Sequence, residues 1–191
     1  TAQLAIIYKI IFELCQIENG DKKLERLTSN IKEVLNIEKS LHQIIELLNE
    51  SNDVYFLGRS IHHPIALEGA LKLKELAYIH AEGMAAGELK HGTLALVEEG
   101  TPAIIINPID ETYRDTITNA IEMKSRGATI IGISSVNNEV YDHWIKIPEV
   151  DNMIYPIIEI IPLQLLAYFT AIRRKNNPDY PRNLAKSVTV K

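Results

Sequence analysis

Three separated stretches of this chain carry groups from which chemistry can be built: Ala66-Leu67-Glu68-Gly69-Ala70-Leu71-Lys72-Leu73-Lys74-Glu75, Gly87-Glu88-Leu89-Lys90-His91-Gly92, and Pro181-Arg182-Asn183-Leu184-Ala185-Lys186-Ser187-Val188-Thr189-Val190. They offer a carboxylate in Glu75, an imidazole in His91 and an amine in Lys186. An amine condenses with a carbonyl to an imine, a carboxylate moves a proton between adjacent carbons, and an imidazole opens a sugar ring. Together these are the operations that amination of a keto-sugar requires.

Each group also has a plainer reading. Glu68, Lys72 and Glu75 share one helical face, and a solvated stripe of ion pairs explains that spacing at about 0.2–0.5 kcal/mol per pair. For Glu75 to carry a proton, its helix should bring it near the carboxyl ends of the strands, where open α/β sheets bind ligands, and burial should raise its pKa. His91 lies between Gly87 and Gly92, which predicts a loop, a common place for function. The plain alternative is a partly exposed polar group. Lys186 must lose its proton near neutral pH to act as a nucleophile, through desolvation or a nearby charge such as Arg182. That implies a tail folded back over the site.

The elements that must position these residues are legible as changes of pattern. Residues 1–50 repeat apolar groups at helical spacing (Leu4, Ile7, Ile11, Leu14; Leu24, Leu27, Ile31, Val34; Leu41, Ile44, Ile45, Leu48), which predicts two or three amphipathic helices. Short, continuously apolar runs follow at Val54-Tyr55-Phe56-Leu57, Ala103-Ile104-Ile105-Ile106, Thr129-Ile130-Ile131-Gly132-Ile133 and Trp144-Ile145-Lys146-Ile147. Such runs separated by helical segments are what a parallel sheet covered on both faces requires. Helices are expected from Pro64, over residues 110–125 and over residues 157–174, and Pro178 and Pro181 end the last one. The expected fold is α/β, a three-layer sandwich with an open, mostly parallel sheet. The expected division is a helical lead over 1–45, a sheet domain over 46–177 and a tail over 178–191.

Composition excludes several classes. With 191 residues, 46% of them hydrophobic, the chain can bury a substantial core. A net charge of −5, without clustered Lys and Arg among aromatics, argues against a nucleic-acid surface. Cys15 is the only cysteine, so no internal disulfide forms and a cytoplasmic location is expected. The apolar stretch from Met153 to Ala171 is interrupted by Pro156, Glu159, Pro162 and Gln164, which favours a buried helix over a membrane span. The His62-His63 pair has no suitably spaced third ligand, so no metal is expected. Gly58-Arg59-Ser60 fits neither phosphate-loop pattern, and Ser134-Ser135 is as well explained by turn chemistry as by phosphate binding. The opening Thr-Ala-Gln, running straight into a helical pattern, suggests a piece of a longer polypeptide.

Leu57-Gly58-Arg59, the run from Pro64 to Glu75, Tyr78-Ile79-His80-Ala81-Glu82, Gly87 to Gly92, Pro162-Leu163-Gln164-Leu165-Leu166-Ala167-Tyr168 and Pro181 to Val190 resemble, in the same order, the carboxyl-terminal part of the glucosamine-6-phosphate synthase family. The resemblance implies the second of two sugar-isomerase (SIS) domains. The family converts fructose-6-phosphate to glucosamine-6-phosphate with ammonia channelled from an amino-terminal glutaminase. It implies Glu75 as the carboxylate shuttling a proton between C1 and C2, Lys72 as its assistant, and His91 as a ring-opening residue supplied across a homodimer. Lys186, with Ala185 beside it, is implied as the imine-forming lysine, and Arg182 as an arginine of the channel and tail. No cofactor is implied. His63 stands where an aromatic is frequent and Thr93 where proline usually follows. The glutaminase and the first SIS domain, with its phosphate-binding loop, have no counterpart here, so the chain alone is expected to be inactive. Another phosphosugar deglycase or isomerase, a non-catalytic sugar-phosphate sensor and a dimerisation module are the alternatives.

Overall fold

The computed structural model describes residues 1–183; the implied imine-forming Lys186 and its neighbour Ala185 lie outside them. Five strands form one parallel sheet: β1 (Asp53–Gly58), β2 (His80–Ala85), β3 (Pro102–Ile106), β4 (Thr129–Ser134) and β5 (His143–Lys146), in the order β2-β1-β3-β4-β5. Four match the apolar runs read from the sequence. The edge strand β2 was not expected, because His80-Ala-Glu-Gly-Met-Ala lacks the β-branched residues that mark a strand. It pairs in parallel with β1 along its whole length, from Asp53 opposite His80 to Gly58 opposite Ala85.

Alternation along the strands sends side chains to two faces. Val54, Phe56, Ile104, Ile106, Ile131, Ile133 and Ile145 point into one core, and Tyr55, Leu57, Ala103, Ile105 and Ile130 into the other. The first core is covered by α4 (His63–Ala77) and α6 (Tyr155–Arg173), backed by α2 (Gly20–Leu35) and α3 (His42–Glu50), with α1 (Ala2–Leu14) packed on α2. The second is covered by α5 (Tyr113–Lys124) and a 3-10 turn at Ala86–His91. This is the expected three-layer sandwich. The stretch that includes α6 is long and apolar enough to span a membrane, yet 72% of its most apolar window is buried in the fold.

α4 is held unusually close to the sheet. A Cβ at Gly83 of β2 would sit 2.7 Å from the Ala66 carbonyl oxygen and the Leu67 Cα, so only glycine admits the helix at this distance. Pro64 in the first turn of α4 gives up an amide that would have no helical partner.

Candidate functional site

The chain leaves β1 through α4 to β2 on one side and leaves β3 through α5 to β4 on the other, so the strand order reverses between β1 and β3. In open α/β sheets the carboxyl ends at such a reversal form the ligand crevice. Here that crevice is filled by protein. His62, in the turn after β1, places Nδ1 at 2.9 and 3.0 Å from the two Glu159 oxygens of α6, and Nε2 at 2.8 Å from Asp110 in the loop after β3. The side chains of His62 and Glu159 have no exposed surface, and Asp110 keeps 2%. Thr112 donates to Asp110 from both its backbone N–H and its hydroxyl, each at 2.8 Å.

Burial opposes the charge on His62, but the hydrogen bonds and fields of Glu159 and Asp110 outweigh it and raise its pKa. Burial pushes the Glu159 carboxyl up, with His62 opposing. For Asp110, burial is overcome by its bonds from His62 and Thr112, and its pKa falls. Sequence reading dismissed His62 as a weak metal candidate and missed this bridge, whose partners stand 48 and 97 positions away. Carboxylates face both ring nitrogens of His62. Among the described residues no group of three or more His, Cys, Asp or Glu is arranged to hold a metal ion.

Glu75 lies elsewhere. The expectation that it sits near the carboxyl rim is corrected by the topology: α4 runs antiparallel to the strands, and Glu75, two residues before its end, lies at the amino rim beside the start of β2. On the outer face of α4, the Lys72 ammonium lies 2.5 Å from Glu75 and 3.7 Å from Glu68, all three side chains being partly exposed. Burial works against the Lys72 charge, but Glu75 and Glu68 outweigh it and raise its pKa, so Lys72 stays protonated.

His91 ends the 3-10 turn at Ala86–His91, where sequence reading placed a loop, and Gly92 follows at φ 144°, a backbone open to glycine. Leu89 is buried, Lys90 reaches Glu122 of α5 at 2.7 Å, and His91 Nδ1 lies 2.7 Å from Glu88. This turn extends from the carboxyl end of β2, whereas Glu75 precedes its amino end. A six-residue strand spans about 20 Å, so one chain does not bring Glu75 and His91 together.

The end of α4 is also where the chain returns after α6. Arg174 donates to the Ala77 carbonyl of α4 and, at 2.7–3.3 Å, to Leu48, Asn49 and Ser51 at the end of α3. Asn176 donates to the Leu76 carbonyl at 3.2 Å. Arg182 donates its backbone N–H to the Tyr78 hydroxyl at 2.9 Å and lays its guanidinium 4.0 Å from the centre of the Tyr78 ring. Ser134 is occupied locally, accepting from the Val136 N–H, and His80 pairs with Asp53.

A family model described as the SIS domain matches residues 47–174. The chain belongs to the SIS-domain family. It is 45% identical over 201 aligned positions to the glutamine–fructose-6-phosphate aminotransferase (isomerizing) of Thermococcus kodakarensis, covering 100% of this chain and 33% of that protein. Among solved structures, the C-terminal domain of glucosamine-fructose-6-phosphate aminotransferase from Francisella tularensis is 35% identical with a TM-score of 0.77, over 82% of this chain and 45% of that one. A glucosamine-6-phosphate deaminase from Thermotoga maritima is 28% identical with a TM-score of 0.68, over 88% and 52%. The chain thus spans about a third of the length of the curated relatives it matches.

Proposed function

We propose that this SIS domain is part of an enzyme that makes glucosamine-6-phosphate from fructose-6-phosphate and ammonia released from glutamine. The reaction surface is the carboxyl end of α4. His91, supplied by a second copy of the chain, opens the cyclic ketose. The Lys186 amine adds to the C2 carbonyl and water leaves, giving a ketimine. Ammonia then takes the place of the lysine nitrogen. Glu75 removes a proton from C1 and returns it to C2, so that C1 becomes the aldehyde and C2 bears the amine. Lys72, held protonated beside Glu75, offsets charge as the enol form develops.

The observation that carries this reading is the docking of Arg182 on Tyr78, three residues beyond Glu75. Four residues of chain reach at most about 14 Å, a length that permits Lys186 and Glu75 to serve one substrate. Similarity to relatives named for this reaction supports the substrate, and the separation of Glu75 and His91 along β2 supports a homodimer. In the same reading, residues 1–45 form a lead between domains, residues 46–177 the SIS domain and residues 178–191 a covering tail. The glutaminase and first SIS domain belong to the same cytoplasmic polypeptide. A sugar-phosphate deaminase is the second reading, favoured by likeness to the Thermotoga protein.

The test is made in the complete polypeptide. Glu75→Gln and Lys186→Ala should each lower glucosamine-6-phosphate formation at least a hundredfold, the range of a lost acid–base group, about 10²–10⁴. Near-normal rates in both would reject the assigned roles, and net ammonia release from glucosamine-6-phosphate as the only activity would favour the deaminase.

A further inference from the structure

Ring opening is assigned above to His91, the last residue of the 3-10 turn at Ala86–His91. The hydrogen bonds of such a turn hold it less firmly than those of an α-helix, and Gly92, at φ 144°, lets the chain change direction directly after it. Ala86 and Leu89 are buried and set its depth. Apolar contact has no direction, so the angle at which His91 is presented must come from polar contacts. Among the described residues the hydrogen bond of the His91 ring itself stays within the turn, to Glu88 at 2.7 Å.

The directional contacts come from one face of α5, where Asp115, Asn119 and Glu122 follow at helical spacing. Glu122 takes the Lys90 ammonium at 2.7 Å, one residue before His91, and that ammonium holds the Glu122 carboxyl below its usual range. At the other end of the turn the Arg59 guanidinium lies against Gly87, where a Cβ would stand 3.7 Å from it. Arg59 donates two hydrogen bonds to Asn119 Oδ1, at 3.0 and 3.3 Å, and lies 3.9 Å from Asp115. Asn119, only 5% exposed, joins the two ends, its Nδ2 lying 3.5 Å from Glu122. A polar chain thus runs from the end of β1 across α5 to the residue before His91. The part of α5 that covers the second core is a different one, Ala120 and Met123 with Ile117.

We propose, on the functional reading given above, that Asn119 and Glu122 are positioning residues for ring opening: through Arg59 and Lys90 they set the angle of the turn that presents His91 to a sugar bound by the second copy of the chain. The core does not depend on them, so their loss should slow ring opening and leave sugar binding intact.

The experiment uses the complete polypeptide, without glutamine, and fructose-6-phosphate labelled with carbon-13 at C2. The two cyclic anomers interconvert only through the open chain, so a ring-opening protein speeds their exchange, which NMR exchange spectroscopy measures. Wild type should speed it and His91→Ala should not. Glu122→Ala, which removes one exposed ion pair, should slow the catalysed exchange about fivefold. Asn119→Ala, which removes two links of the chain, should slow it about tenfold. Glu122→Gln keeps an oxygen for Lys90 and should fall between wild type and Glu122→Ala. Affinity for fructose-6-phosphate and the thermal midpoint of Glu122→Ala should match wild type. Wild-type exchange in Glu122→Ala overturns the proposal, because its carboxylate is the last link to the turn. So does a slower exchange accompanied by an equal loss of affinity or by a lowered thermal midpoint in Glu122→Ala. Failure of the underlying function has its own signature: wild type and His91→Ala would then exchange the sugar alike, and the positioning role would fall with it.

Discussion

At the residue scale, two histidines stand in opposite surroundings. His91, the one singled out by its neighbours in sequence, sits on the surface with Glu88, while His62 is buried between two carboxylates and holds three elements together. Removing one partner from a buried ion pair leaves charge in a poorly solvating interior, so His62→Ala should lose about 3–5 kcal/mol in a urea melt. The bridge also gives stability a pH dependence whose sign follows from the shifts. His62 has a raised pKa, so its contribution is complete below its ordinary value of 6.5 and is lost as pH rises through the raised value. Glu159, also raised, acts in the same direction from 4.5 upward, and Asp110, lowered, acts oppositely only below 3.8. The thermal midpoint should therefore fall from pH 6 to pH 9 in the wild type, with a flatter profile in His62→Gln. None of this was legible in the sequence, because residues so far apart acquire a relation only when β1, β3 and α6 converge.

At the element scale, α4 carries Glu75 and Lys72, the residues proposed to handle the proton. Its charged face was readable from the spacing of Glu68, Lys72 and Glu75, but its direction relative to the sheet was not, and that placed Glu75 at the amino rim. Continuous apolar runs identified four strands because full burial on two faces selects Ile and Val. They could not identify β2, which is half open and whose Gly83 is chosen for the closeness of α4. The end of α4 depends on Arg174, whose guanidinium serves carbonyls of two helices at once. Hydrogen bonds from a charged donor contribute about 1.5–3 kcal/mol, so Arg174→Ala should destabilise the fold by about 2–3 kcal/mol and, by loosening the tail's root, reduce turnover of the complete protein. Retained stability on calorimetry would show that solvent replaces those bonds without loss.

At the scale of the whole molecule, the closed crevice and the open helix end face opposite rims of one sheet. At the strand reversal the His62 bridge to Glu159 and Asp110 occupies the place where open α/β sheets bind ligands. In the proposed function the domain offers Glu75 and Lys72 to a substrate held in part by other domains of a longer polypeptide. Positioning accounts for a large share of enzymatic rate, and the chain spans about a third of the length of its relatives. The isolated chain should thus form no glucosamine-6-phosphate from fructose-6-phosphate and ammonia in a coupled product assay, while the complete polypeptide should. The most direct measurement is a crystal structure of the complete dimer with fructose-6-phosphate bound. The account predicts the sugar's C1 and C2 within hydrogen-bonding reach of Glu75, with His91 of the second subunit near the ring oxygen. A sugar seated instead at the carboxyl ends of β1 and β3, with His62 displaced, would contradict it.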